Sequence, residues 1–355
     1  MAEPGHDVVS DPGGTIPDMS SPATATPDGM LPGMPTRLFA ATPTRLVTWL
    51  RCRRRYRMTY LDRPSPQRGA PWAHSSMGAA VHTALARWWQ EPPATRTPGR
   101  AAALLAACWT SPGFRDDAQS DRWRDSSAQT VAGYVATLEP AAEPRGVERT
   151  VALRTPRLAL SGRVDRIDER PDTDGEPELV VVDYKTGRSV PDTDEARTSL
   201  ALAVYAAAAG RTLRRPASLV ELHHLPTGRV IGWRHGPAGL ARHLARADDI
   251  GAEVAAAHAA YRRLTGAGEG GSDGPAADRL FAPSPGPACS WCDVRSHCPE
   301  GRRVSADLPS WAGLADDPIG AGSPPGAQVA VTSRPDRREQ GRTATGGWTR
   351  TGVVR

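Results

Sequence analysis

Gly162-Arg-Val-Asp-Arg-Ile167 and Val180-Val-Val-Asp-Tyr-Lys-Thr-Gly187 are the two stretches that decide how this chain folds. From Arg157 to Ile167 and from Glu178 to Tyr184 the sequence is strand-like, and Pro171-Asp-Thr-Asp-Gly-Glu-Pro177 between them is rich in turn formers, so a hairpin is expected. A hairpin folded about residue 174 sets Asp165 opposite Asp183 on one face, and period-two alternation adds Lys185 to that face. Two carboxylates about 5 Å apart across a strand pair repel unless a cation lies between them. Such oxygen ligands suit Mg²⁺ or Mn²⁺. The valines before Asp183 place it near the end of a buried strand, where an unpaired carboxylate is costly.

An isolated Asp-x-Lys reads as a solvated ion pair. Composition sets this one apart: of 44 basic residues all but one are Arg, and the single lysine is Lys185. A guanidinium is a wide planar fork, whereas an ammonium is a compact charge that fits beside a reacting oxygen. Lys retained only here points to chemistry that Arg does not perform.

Working outward, Pro43 and Thr44 open a helix on which Trp49, Cys52, Tyr56 and Tyr60 form one stripe, with Arg51, Arg54 and Arg55 off it. Helices follow at about 76–90, with Val81, Leu85, Trp88 and Trp89 as apolar face, and at about 99–109 and 121–138. Beyond the hairpin come a helix at about 195–213, short strands near 218–224 and 229–235, and a long helix at about 238–264. This order implies a mixed α/β domain spanning residues 36–300. Residues 1–35 and 301–355 are dense in Pro, Gly and small polar residues and are expected to be disordered tails.

The formal net charge is +5 over 355 residues, with five acids and no Arg or Lys in residues 1–35, so the body is basic and suits a polyanionic partner. No run of apolar residues is long enough for a membrane span, and the first thirty residues have no secretion signal; a cytoplasmic location is expected. Arg51, Arg53, Arg54 and Arg55 are candidates to follow a phosphate backbone. The aromatic residues are too scattered along the chain to indicate a base-stacking platform.

Gly162-Arg-Val-Asp165 and Val181-Val-Asp-Tyr-Lys-Thr-Gly187 resemble the G-x-[ILV]-D and D-[YF]-K-T-G motifs of RecB-like PD-(D/E)XK nucleases, and Met77-Gly-Ala-Ala-Val-His82 resembles their preceding G-x-x-x-H. The resemblance implies a restriction-endonuclease-like core with a mixed sheet flanked by helices. It implies a metal held by His82, Asp165, Asp183 and the carbonyl of Tyr184, with Lys185 orienting the attacking water and stabilising charge on the scissile phosphate. Tyr205 matches the Tyr of the next helix, a candidate DNA contact, but Ala201 stands where relatives carry Gln. Glu148 precedes the hairpin where relatives often carry an acid, a position that an exposed structural Glu fits equally well.

Cys289-Ser-Trp-Cys292 with Cys298, and Cys52 far upstream, resemble the iron-sulfur staple of CRISPR-associated and helicase-linked exonucleases in that superfamily. Four thiolates hold a [4Fe-4S] cluster; structural Zn²⁺ is the rival. Disulfides are not expected in a cytoplasmic chain, and Cys108 reads as a buried spare. The function implied is a Mg²⁺- or Mn²⁺-dependent DNA exonuclease acting on single-stranded ends in repair or recombination. Alternatives are a non-catalytic DNA-binding subunit of a helicase complex and a zinc-stapled scaffold with no nucleic-acid role.

Overall fold

The computed structural model describes residues 38–266, 275–314 and 329–332. The N-terminal tail expected at 1–35 lies outside the described residues, as does most of the C-terminal one. In chain order, β1 (Phe39–Ala41), α1 (Pro43–Arg51), α2 (Arg53–Tyr60), α3 (Ala73–Gln90), α4 (Pro98–Cys108) and α5 (Asp117–Val135) precede β2 (Gly146–Arg154), β3 (Leu158–Pro171) and β4 (Pro177–Lys185). Then follow α6 (Thr193–Thr198), α7 (Leu200–Leu213), β5 (Ala217–His224), β6 (Arg229–Arg234), α8 (Pro237–Gly266), α9 (Pro275–Leu280), α10 (Pro299–Val304) and β7 (Val329–Thr332). The strands form one mixed sheet in the order β1-β3-β4-β5-β6-β7, with β2 also paired to β3. One face packs on α1, α7 and α8 through residues such as Leu160, Ile167, Val181 and Leu222. The other packs on α3, α4 and α5 through Val180, Val182, Tyr184 and Leu219, and the expected helix face of Val81, Leu85, Trp88 and Trp89 is buried there.

The hairpin register is centred on residue 174: Arg166 pairs with Val182 and Ile167 with Val181, so one step further Asp165 and Asp183 are opposite each other. Asp172 accepts the N–H groups of Asp174 and Glu176, and Gly175 takes the left-handed conformation that closes the turn.

Several expectations are corrected. The stripe through Trp49, Cys52, Tyr56 and Tyr60 is not one helix, because Cys52 is extended and its Sγ accepts the N–H of Arg55 as cap of α2. The expected helix at 195–213 is likewise two, broken at Ser199, whose hydroxyl caps α7. Strands β1, β2 and β7 were not foreseen. Residues 301–314 are no loose tail: Leu314 is buried and its carbonyl accepts from Gln119 at 3.0 Å, and the later segment β7 runs parallel to β6. Cys108 is half-exposed rather than buried.

Behind the hairpin lies a closed ring of polar side chains. Arg166 donates to Tyr134 Oη and, through its other edge, pairs with Asp168; Asp168 pairs with Arg170, Arg170 with Glu221, Glu221 with His223 and His223 with Tyr134. Arg166, Glu221 and His223 are buried, so each charge requires its partner. Burial alone would raise the Glu221 pKa, but hydrogen bonds from His223 and Arg170 outweigh it and hold the carboxyl at about 2.

Gly162 is fixed by a close approach. A Cβ there would stand 2.4 Å from Cε1 of Tyr205, so the bare backbone lets the α7 ring lie flat against β3.

Two predictions follow from these contacts. Gly162→Ala displaces the Tyr205 ring and should cost about 1–3 kcal/mol, read as a fall of several degrees in melting temperature; an unchanged melting temperature refutes the contact. Glu221 has a folded pKa below its ordinary 4.5, so its stabilisation is present above 4.5 and is lost as pH falls toward about 2. The wild-type melting temperature should therefore drop more steeply across that window than that of Glu221→Gln, and parallel curves would refute the ring's role.

Candidate active site

Alternation along β3 slips at Asp165. Val164 and Ile167 both enter the same core although three residues apart, while Arg166 between them enters the opposite one. The cause lies on the neighbouring strand, where Glu148 has φ +47, a conformation that side chains other than glycine rarely adopt. The flanking pairs Val147–Arg166 and Arg149–Val164 set Glu148 opposite Asp165. Strained backbone in this place turns both carboxylates toward α3.

There they meet His82. Its Nδ1 lies 3.3 Å from Asp165 Oδ1, and one ligand atom each of His82, Glu148 and Asp165 fall within 4.8 Å of one another. The other Asp165 oxygen accepts the backbone N–H of Tyr184 at 2.9 Å, tying β3 to β4 beyond the last ladder pair. Lys185 Nζ stands 2.7 Å from Asp183 Oδ2, an ion pair that supplies the counter-charge of this buried carboxylate. Gly78 allows α3 to come this close, since a Cβ there would sit 3.2 Å from Thr186 Oγ1.

The electrostatics report an excess of negative charge. Burial, then Asp165, raise the Glu148 pKa against the pull of Arg163, and burial raises that of Asp183 against Lys185. Burial opposes a charge on His82 and on Lys185, yet the surrounding carboxylates outweigh it and raise both pKa values. Glu148 and Asp183, which favour a proton, equally favour a cation, and a donor set of one imidazole and hard carboxylate oxygens fits a divalent ion. Glu148, which the sequence left undecided between surface and site, belongs to this group.

The expected DNA contacts divide. Arg54 is buried against Asp278, Glu300 and the carbonyl of Phe281, so it is withdrawn as a phosphate contact; its role is to bind α2 to the C-terminal segment. Arg53 pairs with Glu253 and Arg55 with Asp293, while Arg51 is exposed. Tyr205 lies near Asp183, Asp165 and Lys185, close enough for their charges to act on its hydroxyl.

The cysteines converge as well. A Cβ on Gly301 would lie 3.4 Å from Cys298 Sγ and 3.6 Å from Cys289 Sγ, so that glycine leaves room beside two of the sulfurs, and Cys52 is near enough to act on the Cys292 thiol. Backbone N–H groups of Arg55 and Gly301 point at Cys52 and Cys298, each at 3.4 Å. Burial raises the pKa of the Cys292 and Cys298 thiols.

Comparison with curated proteins returns no match. Residues 40–299 match the PD-(D/E)XK nuclease superfamily. That span holds the whole sheet from β1 to β6, the carboxylates, Lys185 and the four clustered cysteines. The chain belongs to the PD-(D/E)XK nuclease superfamily, a family of metal-dependent nucleases.

Proposed function

We propose that the protein is a Mg²⁺- or Mn²⁺-dependent DNA exonuclease that acts on single-stranded ends in repair or recombination. The observation that carries the reading is the gathering of His82, Glu148 and Asp165 at the edge of the hairpin, with the Asp183–Lys185 ion pair on the neighbouring strand β4. His82, Glu148, Asp165, Asp183 and the carbonyl of Tyr184 would hold the metal. When bound, the ion supplies Lewis-acid polarisation of a phosphodiester oxygen and lowers the pKa of a water beside it. The protein's part is positional. The Tyr184 N–H fixes one Asp165 oxygen so that the other faces His82, and Lys185 stands where an ammonium can orient a water and offset charge on the phosphate. Tyr205 and Arg51 border the path of the strand.

Cys52, Cys289, Cys292 and Cys298 are proposed to hold a [4Fe-4S] cluster rather than zinc. What supports the cluster is the spacing of one upstream and three clustered cysteines, which resembles the iron-sulfur staple. A non-catalytic subunit of a helicase complex is the second reading, favoured by Ala201 at the place of the family's Gln.

Cleavage of labelled single-stranded DNA should require Mn²⁺ or Mg²⁺ and stop in EDTA. Lys185→Ala should lower the rate by about 10²–10³ with DNA affinity unchanged, and Lys185→Arg should do nearly the same. Near wild-type cleavage by Lys185→Arg refutes the role of the ammonium, and no cleavage by the wild type under any metal favours the non-catalytic subunit.

Anaerobically prepared protein should contain about four irons and four sulfides. Cys292→Ala should lower iron content and melting temperature together, with activity following. One zinc and no iron would overturn the cluster.

A further inference from the structure

Aromatic side chains that are scattered along the sequence are gathered by the fold beside the cysteines. Trp72 precedes the first turn of α3, His74 lies in that turn, and Trp291 stands between Cys289 and Cys292. The ring centroids of Trp72 and Trp291 are 5.0 Å apart, those of His74 and Trp291 5.6 Å, and the Trp72 and His74 rings are near parallel at 6.0 Å. Trp72 and His74 are half-buried, whereas Trp291 is 40% exposed, one of few large apolar side chains in the described residues that reach solvent.

The surroundings are basic. Arg55 and Arg68 share the single carboxylate of Asp293, which leaves one positive charge over, and Arg68 is 61% exposed. Arg302 and Arg303 are exposed on α10, the helix that follows Cys298. A ring open to solvent, braced by two others and set among guanidinium groups, has the composition that holds single-stranded nucleic acid: cations for the backbone and an aromatic face for a base. A duplex already stacks its bases on each other, so the ring selects an unpaired one.

We propose that Trp291, braced by Trp72 and His74, is a stacking platform for an unpaired base of single-stranded DNA. The proposal rests on the nuclease reading for the identity of the strand and adds where the strand is gripped. Helix α3 joins the two places: His82 lies ten residues beyond Trp72, about 15 Å along the axis at the α-helical rise. The gripped base and the cleaved phosphate are then separated by roughly two to four nucleotides.

The test uses the full chain with its cysteine site loaded, and labelled oligothymidylate in EDTA, where no cleavage occurs. Trp291→Ala should weaken binding by about tenfold or more, Trp291→Phe should keep most of the affinity, and metal content and melting temperature should be those of the wild type. Independently, the wild-type protein is titrated with oligonucleotides in which one abasic nucleotide is stepped along the strand; affinity should drop when it occupies one position. Unchanged binding by folded Trp291→Ala, or affinity indifferent to the abasic position, overturns the platform. Should Trp291→Ala lose its metal, the abasic series on the wild type decides alone. Cleavage in Mn²⁺ is scored separately: position-dependent binding without cleavage sinks the nuclease reading and leaves the platform, whereas cleavage with indifferent binding does the reverse.

Discussion

Two carboxylates that repel each other must be held on adjacent strands, and the buried guanidinium of Arg166 is what makes the hairpin rigid enough to hold them. It sits one residue beyond Asp165 and enters the core packed on α3, α4 and α5, where it meets Tyr134, Tyr184 and Asp168. Through Asp168, Arg170, Glu221 and His223 the contacts return to Tyr134, so α5, β3 and β5 are locked by one circuit, and Tyr184 brings β4 into it. Removing Arg166 or Arg170 from this circuit strands a carboxylate or its partner in low dielectric. The site can therefore hold like charges and a Glu148 at positive φ, because the circuit beside it supplies the cohesion.

Arginine and lysine divide the work along physical lines. Arg54, Arg57, Arg96 and Arg166 are buried and act as multi-armed donors; Arg96 alone reaches the carbonyls of Trp89, Glu91, Pro140 and Ala142. A planar fork with five donors suits that structural role, and its charge is not negotiable. Only at Asp183 does the chain use an ammonium.

The hairpin and its register were legible because turn chemistry and alternation act locally, whereas the slip of alternation at Asp165 was not. Legible too were α3 and α8, whose apolar periods are long. Strand β2 was not, because Arg149 and Thr150 interrupt its alternation and Glu148 reverses its faces. Cys52 as a helix break was invisible for another reason: its neighbours all favour helix, and the cap is made by its own sulfur. Glu148 could have been placed only by knowing that strand. The buried state of Arg54 depends on Asp278 and Glu300, more than two hundred residues away, which no local pattern encodes.

That last contact bears on how the chain is made. Helix α2 leaves the ribosome early, yet the groups that neutralise Arg54, and three of the four clustered cysteines, are among the last parts of the domain to be synthesised. Until they emerge, the N-terminal helices carry a guanidinium whose burial has no compensation, so the nascent domain stays open at this seam. Closure of this seam is thereby tied to late synthesis, and a chain interrupted before Asp278 lacks both carboxylates that pair with Arg54.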